Sequence, residues 1–506
     1  MIIPEPLYIS AAHKSSGKTT ITIGLCAALH QSGKKVQAFK KGPDYIDPLW
    51  HARATSNACY TLDYNTMFAD EIMDLYHQKS SQVDISIIEG NKGLYDGLDL
   101  DGSNSNAALA KLLHANIILV LDAQGMTRGI APLVLGYQAF DPEIKIAGVI
   151  LNNLGGSRHE SKLRAVLEHY TDVPVIGAVH KQKQLEIVEK HLGLIPGNED
   201  QHATQKIQSI CHAIKQSVNL EQIIELSKQK FSIPQVNNQY DKPATNTSSK
   251  VDINNKQSVS NNPLSCSHKK IRIAVIKDQA FGFYYPADLE ALKFSGAELI
   301  YTSALKDRQL PDDIDGIFIG GGFPERHMQT LANNHLFKQH LFQLIESGIP
   351  CYAECGGLMY LSRSIKWQNE TVTMTGIIAA DVIVTEKPQG RGLIQFSETE
   401  MMPWPLIDEE IQTQNSAIES NTLKNKAVEN KIIAAHEFHY SKLINISKST
   451  RFAYKIHRGT GIDGQHDAIV YKNLLASYAH LQDTRQNHWA KRFIKFVKSV
   501  NINNKF

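Results

Sequence analysis

The sequence predicts an α/β protein built from two doubly wound domains, and three observations support this fold class. The chain has 506 residues, more than the roughly 300 that a single hydrophobic core usually serves. Short β-branched runs alternate with helical patterns in both halves, as in parallel βαβ units. Residues 232–269 are rich in Asn, Ser, Lys and Gln, which predicts a linker between domains at 1–231 and 270–506.

Strands are expected where apolar, β-branched runs end in polar or glycine-containing segments. In the first half, such runs occupy residues 7–10, 36–39, 85–88, 117–121 and 147–151. In the second half, they occupy residues 271–276, 316–319 and 350–353. The polar stretch at 408–430 predicts a surface insertion within the second domain.

Composition and charge exclude several classes of function. The formal net charge is +2, so the chain has no large basic field for nucleic acid or an anionic membrane surface. No apolar stretch reaches the roughly 18 residues of a membrane span. The six cysteines lack paired CxxC spacing and favour a reduced setting. We therefore expect a cytoplasmic protein that acts on small molecules.

Cys355 lies in the segment 353–357, between an apolar run and a helical pattern. A strand-to-helix turn of this kind exposes a nucleophile, and the positive end of the helix dipole lowers the pKa of a thiol placed there. The glycine that follows, Gly356, offers a backbone N–H to a developing oxyanion. A buried structural cysteine beside a glycine-rich turn is the alternative.

A second motif follows the first expected strand. Residues 11–20 read AAHKSSGKTT and lead into an expected helix at 21–30. This order of strand, loop and helix is typical of a phosphate-binding loop. Ala12 replaces the first glycine of the usual pattern, so a chance match in a solvated turn is the alternative. The residues expected to bind nucleotide are Gly17, Lys18, Thr19 and Thr20.

Carboxylates at two further strand ends indicate a Mg²⁺ site. Asp44 and Asp47 follow the second strand, and Glu89 ends the third, where open α/β sheets bind ligands. Mg²⁺ prefers one or two carboxylates together with phosphates and water. We expect Thr19, Asp44 and Glu89 to hold the metal, and Asp44, Asp47 and Asp96 to serve phosphoryl transfer or substrate binding. Turn or helix-capping roles for Asp44 and Asp47 are the alternative.

Four groups of motifs together resemble one enzyme family. They are GPDYIDP at 42–48, EG at 89–90 with GLYDG at 93–97, AF at 280–281 with FYYP at 283–286, and YAECGGLMYL at 352–361. These motifs are similar to those of the cobyrinic acid a,c-diamide synthases of corrinoid biosynthesis. The similarity extends from the first strand to about His480, interrupted by the linker and by the stretch at 408–430.

The resemblance implies an N-terminal synthetase domain similar to dethiobiotin synthetase and a C-terminal glutaminase domain of the class I amidotransferase type. ATP, with Mg²⁺, would convert a carboxylate to an acyl phosphate, and ammonia released from glutamine by Cys355 would displace phosphate. The implied substrates are the a- and c-side-chain carboxylates of cobyrinate or of hydrogenobyrinate. A homodimer is one option for the assembly.

The resemblance also indicates a general base. In the family, the histidine of an Ala-Ser-Tyr-x-His motif assists the nucleophile, and His480 matches it. Other candidates are His436 and His439, expected to orient substrate or stabilise the domain, and His466. The class I carboxylate two residues after the histidine is absent because Gln482 stands there. The group that orients His480 is therefore not identified by the sequence.

Two further segments resemble family elements. The glycine-rich segment 320–325 is similar to the oxyanion loop of amidotransferases, so Gly321, Gly322 and Gly356 are expected to stabilise the oxyanion. A tight strand-to-helix turn is the alternative. Asn152 follows an expected strand and is similar to a purine-contacting residue, although an asparagine that caps a loop would look the same.

Departures from the family pattern leave other functions open. Lys14 and Ser15 stand where relatives carry small residues or glycine, and Asn91 and Lys92 replace an apolar pair. One alternative is an amidase of other side chains of the macrocycle, or of a nickel tetrapyrrole. The other is a phosphate-loop ATPase that switches partner binding and uses the glutaminase-like domain for regulation.

Overall fold

The computed structural model describes residues 3–185, 187, 189–190, 193–194, 202–228, 270–407 and 431–503. The expected linker at 232–269 and the expected insertion at 408–430 lie outside these described residues. The described chain forms two large β-sheets, one on each side of the expected linker.

The first sheet has seven strands that all run parallel. Its spatial order is β3-β2-β4-β1-β5-β6-β7. Since the strands are parallel, their carboxyl ends and the loops that follow them meet at one edge. In chain order, β1 to β7 are Leu7–Ala11, Val36–Lys41, Tyr60–Leu62, Ile85–Glu89, Asn116–Asp122, Ile146–Leu154 and Val175–His180.

Helices cover both faces of this sheet, which explains why its strands are apolar on both sides. All five residues of β1 are buried; Leu7 and Ile9 face one hydrophobic cluster, and Tyr8 faces the other. A short 3₁₀ turn spans Lys183–Leu185, and Glu189–Lys190 (β8) pairs antiparallel with Gly193–Leu194 (β9). Helices α1 to α8 are Lys18–Gln31, Ile46–Thr55, Ala69–Ser80, Asn106–Leu112, Ile130–Phe140, Ser157–Tyr170, Ala203–Ser217 and Leu220–Ser227.

The second sheet has nine strands and is mixed. Its order is β11-β10-β12-β13-β22-β21-β20-β17-β18, in which the first five strands are parallel and the rest antiparallel. The nine strands are Ile271–Ile276 (β10), Ala297–Thr302 (β11), Gly316–Ile319 (β12), Cys351–Glu354 (β13), Gly390–Glu398 (β17), Ile432–His439 (β18), Arg451–Arg458 (β20), His466–Tyr471 (β21) and Leu474–Ser477 (β22).

Among the described residues of this half, a smaller four-stranded sheet and five helices accompany the nine-stranded sheet. The small sheet has the order β15-β14-β16-β19 and comprises Ser362–Trp367 (β14), Glu370–Thr373 (β15), Ile378–Val384 (β16) and Ser441–Ile444 (β19). A 3₁₀ turn spans Pro324–His327. Helices α9 to α13 are Pro286–Phe294, Met328–Asn333, His335–Glu346, Gly356–Leu361 and Trp489–Asn503.

All eight strands expected from sequence are present, and the described part of the second domain adds to its parallel strands an antiparallel half and the separate four-stranded sheet. Along the described ranges, no helix is both long and apolar enough to cross a bilayer.

Side chains of the two halves meet in direct polar contacts. His436 Nε2 lies 2.5 Å from Asp63 Oδ2, and Lys79 Nζ lies 2.5 Å from Glu290 Oε2. Thr66 Oγ1 donates to Gln482 Oε1 at 2.5 Å. Asp63, Thr66, His436 and Gln482 are all buried, so this part of the boundary between the two halves is desolvated.

Candidate active site

The phosphate-loop motif has the local structure that the sequence predicts. It connects β1 to α1, and Gly17 precedes α1 with φ +90°, a left-handed conformation that favours glycine. Asn152 at the end of β6 donates to Ser16 O at 2.9 Å, and a β-carbon on Gly17 would lie 2.1 Å from Asn152 Nδ2. Asn152 therefore braces the loop in this structure, whereas its expected contact with nucleotide stays a prediction.

Lys18, Thr19 and Glu89 come together at the carboxyl edge of the first sheet. Thr19 Oγ1 donates to Glu89 Oε1 at 2.6 Å and to Asp47 Oδ2 at 3.3 Å. Burial lowers the pKa of the Lys18 ammonium, and the Glu89 carboxylate opposes part of that shift. Thr20 lines the same cavity. The expected nucleotide-binding and metal-binding side chains thus share one site.

A buried lysine that the sequence analysis did not single out lies among these carboxylates. Lys40 Nζ is 2.5 Å from Asp47 Oδ2, 3.0 Å from Glu89 Oε1 and 3.7 Å from Asp44 Oδ2. Burial alone would lower the pKa of Lys40, but the three carboxylates hold it well above its ordinary value. In the sequence, Lys40 lies two residues before Gly42, at the start of the loop that carries Asp44. This position was the signal that could have identified Lys40 as a site residue.

A histidine was also missed. His51 of α2 is fully buried and contacts Glu89 Oε2 through its Nε2. It follows Asp47 by four residues, so the two share a helix face. Burial alone would raise the pKa of Glu89, but Lys40 and His51 lower it below its ordinary range. Glu89 is therefore ionised, and its carboxylate contacts both Lys40 and His51.

Asp44 and Asp96 also make local structural contacts. Asp44 Oδ1 accepts from the N–H groups of Ile46 and Asp47 at 2.9 and 3.2 Å, so it caps α2. Burial, with the Asp47 carboxylate nearby, raises the pKa of Asp44 to about 7. Asp96 Oδ2 accepts from Gly93 N at 2.8 Å and lines the cavity. Their expected roles in metal binding and phosphoryl transfer stay predictions.

The oxygen atoms at this site fit Mg²⁺. Thr19, Asp47 and Glu89 supply hard oxygen donors within hydrogen-bond distance of one another, the donor set that Mg²⁺ prefers beside phosphate oxygens. In the part of the chain that the structure describes, no cluster of three or more His, Cys, Asp and Glu side chains forms a complete metal cage.

The second centre is the turn at Cys355, which links β13 to α12 as expected. Cys355 has φ +45° and ψ −96° and is nearly buried. Its Sγ lies 3.9 Å from the carbonyl oxygen of Phe438. Burial, with the Glu325 and Glu354 carboxylates nearby, raises the pKa of the Cys355 thiol. The expectation of a lowered pKa is wrong for this state, because desolvation outweighs the Gly356 N–H and the end of a six-residue helix.

His480 lies near this turn, on the cavity wall. Its ring centroid is 5.1 Å from that of Tyr45, which belongs to the first half of the chain. His480 Nδ1 lies 3.4 Å from Glu354 Oε2. Gln482 faces away, because its side chain contacts Thr61 and Thr66 across the domain boundary.

The other two histidines have different surroundings. The His439 ring stacks on Tyr478 at 3.8 Å, and its Nδ1 lies 2.7 Å from Ser441 O. His466 is partly exposed beside Asp463. His439 therefore remains the competing base on geometry, whereas His466 lies in a separate surface pair.

The glycine-rich loop approaches the nucleophile turn. A β-carbon on Gly356 would lie 2.9 Å from Gly322 N, and one on Gly321 would lie 2.5 Å from His480 Cε1. Only glycine fits either position without displacing its neighbours. Gly321, Gly322 and Gly356 are thus grouped beside Cys355 and His480, and their role as oxyanion donors stays a prediction.

One cavity extends from the phosphate loop to His480. Its volume is about 1790 Å³, well above the 300–1,000 Å³ of ordinary small-molecule pockets. Lys18, Asp47 and Glu89 line it on one side, and Phe438 and His480 line it on the other. Groups at the phosphate loop and groups beside the thiol therefore open onto a common space.

Comparisons with known families agree with this organisation. Residues 9–195 match the CobQ/CobB/MinD/ParA nucleotide binding domain, and residues 272–487 match the CobB/CobQ-like glutamine amidotransferase domain. A nucleotide-binding domain that shares a cavity with a glutamine amidotransferase domain defines a glutamine-dependent ligase that forms C–N bonds.

Curated relatives narrow this class. A cobyrinate a,c-diamide synthase of Magnetococcus marinus is 39% identical over 97% of this chain and 96% of its own length. Those of Methanosarcina acetivorans and Caldanaerobacter subterraneus are 36% and 33% identical, over 95% and 96% of this chain and 92% and 97% of their own lengths. The chain belongs to the cobyrinate a,c-diamide synthase family.

The raised thiol pKa makes a prediction for the unliganded protein. Cys355 should react slowly with iodoacetamide at neutral pH, because only the thiolate attacks. Below its pKa the thiolate fraction grows tenfold per pH unit, so the rate constant should rise about tenfold per unit from pH 7 to 9. Peptide mapping by mass spectrometry measures the labelling, with buried Cys351 as the internal control. A plateau below pH 8 would contradict the prediction.

Proposed function

We propose that the chain amidates the a- and c-side-chain carboxylates of cobyrinate, or of its metal-free analogue hydrogenobyrinate, using ATP, Mg²⁺ and ammonia from glutamine. The observation that carries the proposal is the common cavity between the phosphate loop and His480. The printed names of the curated relatives support the same substrate. The carboxylate, the nucleotide and the released ammonia would meet in this cavity.

The first half of the chain would activate the carboxylate. A carboxylate resists ammonia because its leaving group would be oxide, so phosphorylation first supplies a better one. Lys18 and the backbone of its loop would bind the phosphates, and Thr19, Asp47 and Glu89 would hold Mg²⁺. The metal, when bound, neutralises charge on the transferred phosphoryl group. Lys40 keeps the carboxylates in place by pairing with Asp47 and Glu89.

The second half would release ammonia. The Cys355 thiol is protonated in the unliganded protein, so a base must take its proton as sulfur attacks the amide carbon of glutamine. His480 would accept that proton and return it to the departing nitrogen. The grouped N–H donors of Gly322 and Gly356 would stabilise the oxyanion. Water would then hydrolyse the thioester to glutamate.

The wall contributed by the second half suits a polycarboxylate. Arg391 and Arg458 are exposed and line the cavity. Arg391 lies over the Phe438 ring, 5.9 Å from its centroid. Within the described ranges, neither guanidinium pairs with a carboxylate of this chain, so both can bind an anionic substrate. The two guanidinium groups would also offset repulsion between the anionic substrate and the carboxylates on the opposite wall of the cavity, which are Asp44, Asp47 and Glu89.

Arg391→Met and Arg458→Met should each raise the KM for the macrocycle about 10- to 150-fold, because a charge-assisted hydrogen bond contributes roughly 1.5–3 kcal/mol. Glutaminase activity measured without the macrocycle should stay unchanged. Arg451→Met is the matched control, since Arg451 is exposed on the same strand as Arg458 but lies off the cavity. Steady-state kinetics with varied macrocycle provide the measurement, and unchanged KM values in both variants would refute the contact.

Cys355→Ala should abolish glutamine-dependent amidation, by at least about 10³-fold, while free ammonia still supports it. His480→Ala should lower glutamine-dependent turnover by about 10²- to 10⁴-fold. Product amides are counted by mass spectrometry with glutamine or ammonium chloride as donor. His466→Ala is the neutral control. A larger loss in His439→Ala than in His480→Ala would assign the base to His439 instead.

Lys18→Ala should lower amidation by about 10²-fold or more with either nitrogen donor, because the loss removes positive charge at the transferred phosphate. The matched control is Lys14→Ala, which changes an exposed lysine of the same loop. Phosphate release and product amides are measured together. Undiminished product formation in Lys18→Ala would overturn the assignment of this loop.

A further inference from the structure

We propose that Glu354 positions His480 for ammonia release, in place of the carboxylate that class I glutaminases carry two residues after the histidine. The inference rests on the proposed glutaminase role of Cys355 and His480 and identifies the group that orients the base. It is carried by a buried contact, in which His480 Nδ1 lies 3.4 Å from Glu354 Oε2 and, in the described structure, makes no hydrogen bond to any group. Glu354 directly precedes the nucleophile in the chain.

The Glu354 carboxylate is buried and held on its other oxygen. Only 3% of the surface of Glu354 is exposed to solvent. Oε1 accepts from the Tyr352 hydroxyl at 2.7 Å and from Leu481 N at 3.0 Å. A buried carboxylate is costly unless it is hydrogen-bonded. The hydrogen bonds from Tyr352 and Leu481 to Oε1 offset the cost of burying the carboxylate. The other oxygen, Oε2, faces His480.

Both ends of the contact are fixed by backbone structure. Glu354 is the last residue of β13 and pairs in register with Ser477 of the parallel strand β22. Three residues beyond Ser477, His480 N donates to His436 O at 2.7 Å. Leu481, the neighbour of His480, binds the same carboxylate through its N–H. The imidazole and the carboxylate are therefore held against each other by the sheet.

Two other side chains near His480 are committed elsewhere. Gln482 contacts Thr61 and Thr66 across the domain boundary. Asp467 accepts from the N–H groups of Ala468, Tyr478 and Ala479 at 2.8, 3.0 and 2.8 Å. Glu354 is thus the carboxylate placed to receive a proton-bearing Nδ1.

The chemical consequence is a fixed tautomer. A carboxylate that accepts from Nδ1–H leaves Nε2 unprotonated, ready to take the Cys355 proton as the C–S bond forms. The same proton then moves to the nitrogen of glutamine as the C–N bond breaks. The 3.4 Å separation matches the behaviour of unliganded enzymes, in which catalytic hydrogen bonds are long and shorten in the substrate complex.

Glu354→Gln tests the proposal because it keeps the size of the side chain and reverses the polarity of the contact. The amide oxygen can still accept from Tyr352 and Leu481, whereas its NH₂ group donates toward Nδ1 and leaves the proton on Nε2. We expect the kcat for glutamine hydrolysis to fall by about 10²-fold or more, up to the roughly 10⁴-fold loss seen when the equivalent carboxylate of a serine protease becomes an amide. The KM for glutamine should change less than threefold.

Two controls separate positioning from structure. His466→Ala changes a partly exposed histidine that pairs with Asp463 away from this contact, so its kcat should stay within threefold of the parent enzyme. Amidation with ammonium chloride should be unchanged in Glu354→Gln. A kcat within threefold of the parent, or loss of the ammonia-dependent reaction as well, would overturn the proposal. Glutamine-dependent activity that survives in Cys355→Ala would instead overturn the proposed glutaminase function.

Discussion

The carboxyl edges of two parallel arrays of strands face each other, and the positions of all the reactive groups depend on this constraint. In the first sheet, the ends of β1, β2 and β4 carry the phosphate loop, the Asp44 loop and Glu89. In the second sheet, the end of β13 carries Cys355, and the chain beyond β22 leads to His480. Parallel strands place these groups at one edge of each sheet. The buried Asp63–His436 contact then holds the two edges together.

Charge within the first site is balanced by the chain itself. Three carboxylates so close together would repel one another in a desolvated site, yet Lys40 contacts all three and His51 contacts Glu89. The site is therefore preorganised before a nucleotide arrives, since burying an unpaired charge would be far more costly than burying this set. The same pairing explains why Glu89 stays ionised although it is fully buried.

Sequence reasoning located the strands, the phosphate loop and the nucleophile turn, because each depends on short-range patterns. It failed where contacts join residues distant in the chain. The orientation of His480 depends on Glu354, 126 positions earlier, and Gln482 proved to be a boundary residue that binds Thr66. The sequence predicted a lowered pKa for the Cys355 thiol, because it shows that a helix begins there but does not show that the thiol is buried. In the structure, burial raises this pKa. The expected linker at 232–269 lies outside the described residues.

The segment that follows β2 contacts groups of both reactive centres. Asp44 and Asp47 reach the charged cluster around Lys40, whereas Tyr45, between them, stacks on Phe283 at 5.2 Å and lies beside His480. Close-packed interiors transmit displacement instead of absorbing it. A shift of this loop when phosphate groups arrive would therefore also move an aromatic ring against the base. Neighbouring positions of the segment 44–47 therefore contact both the charged cluster and the base.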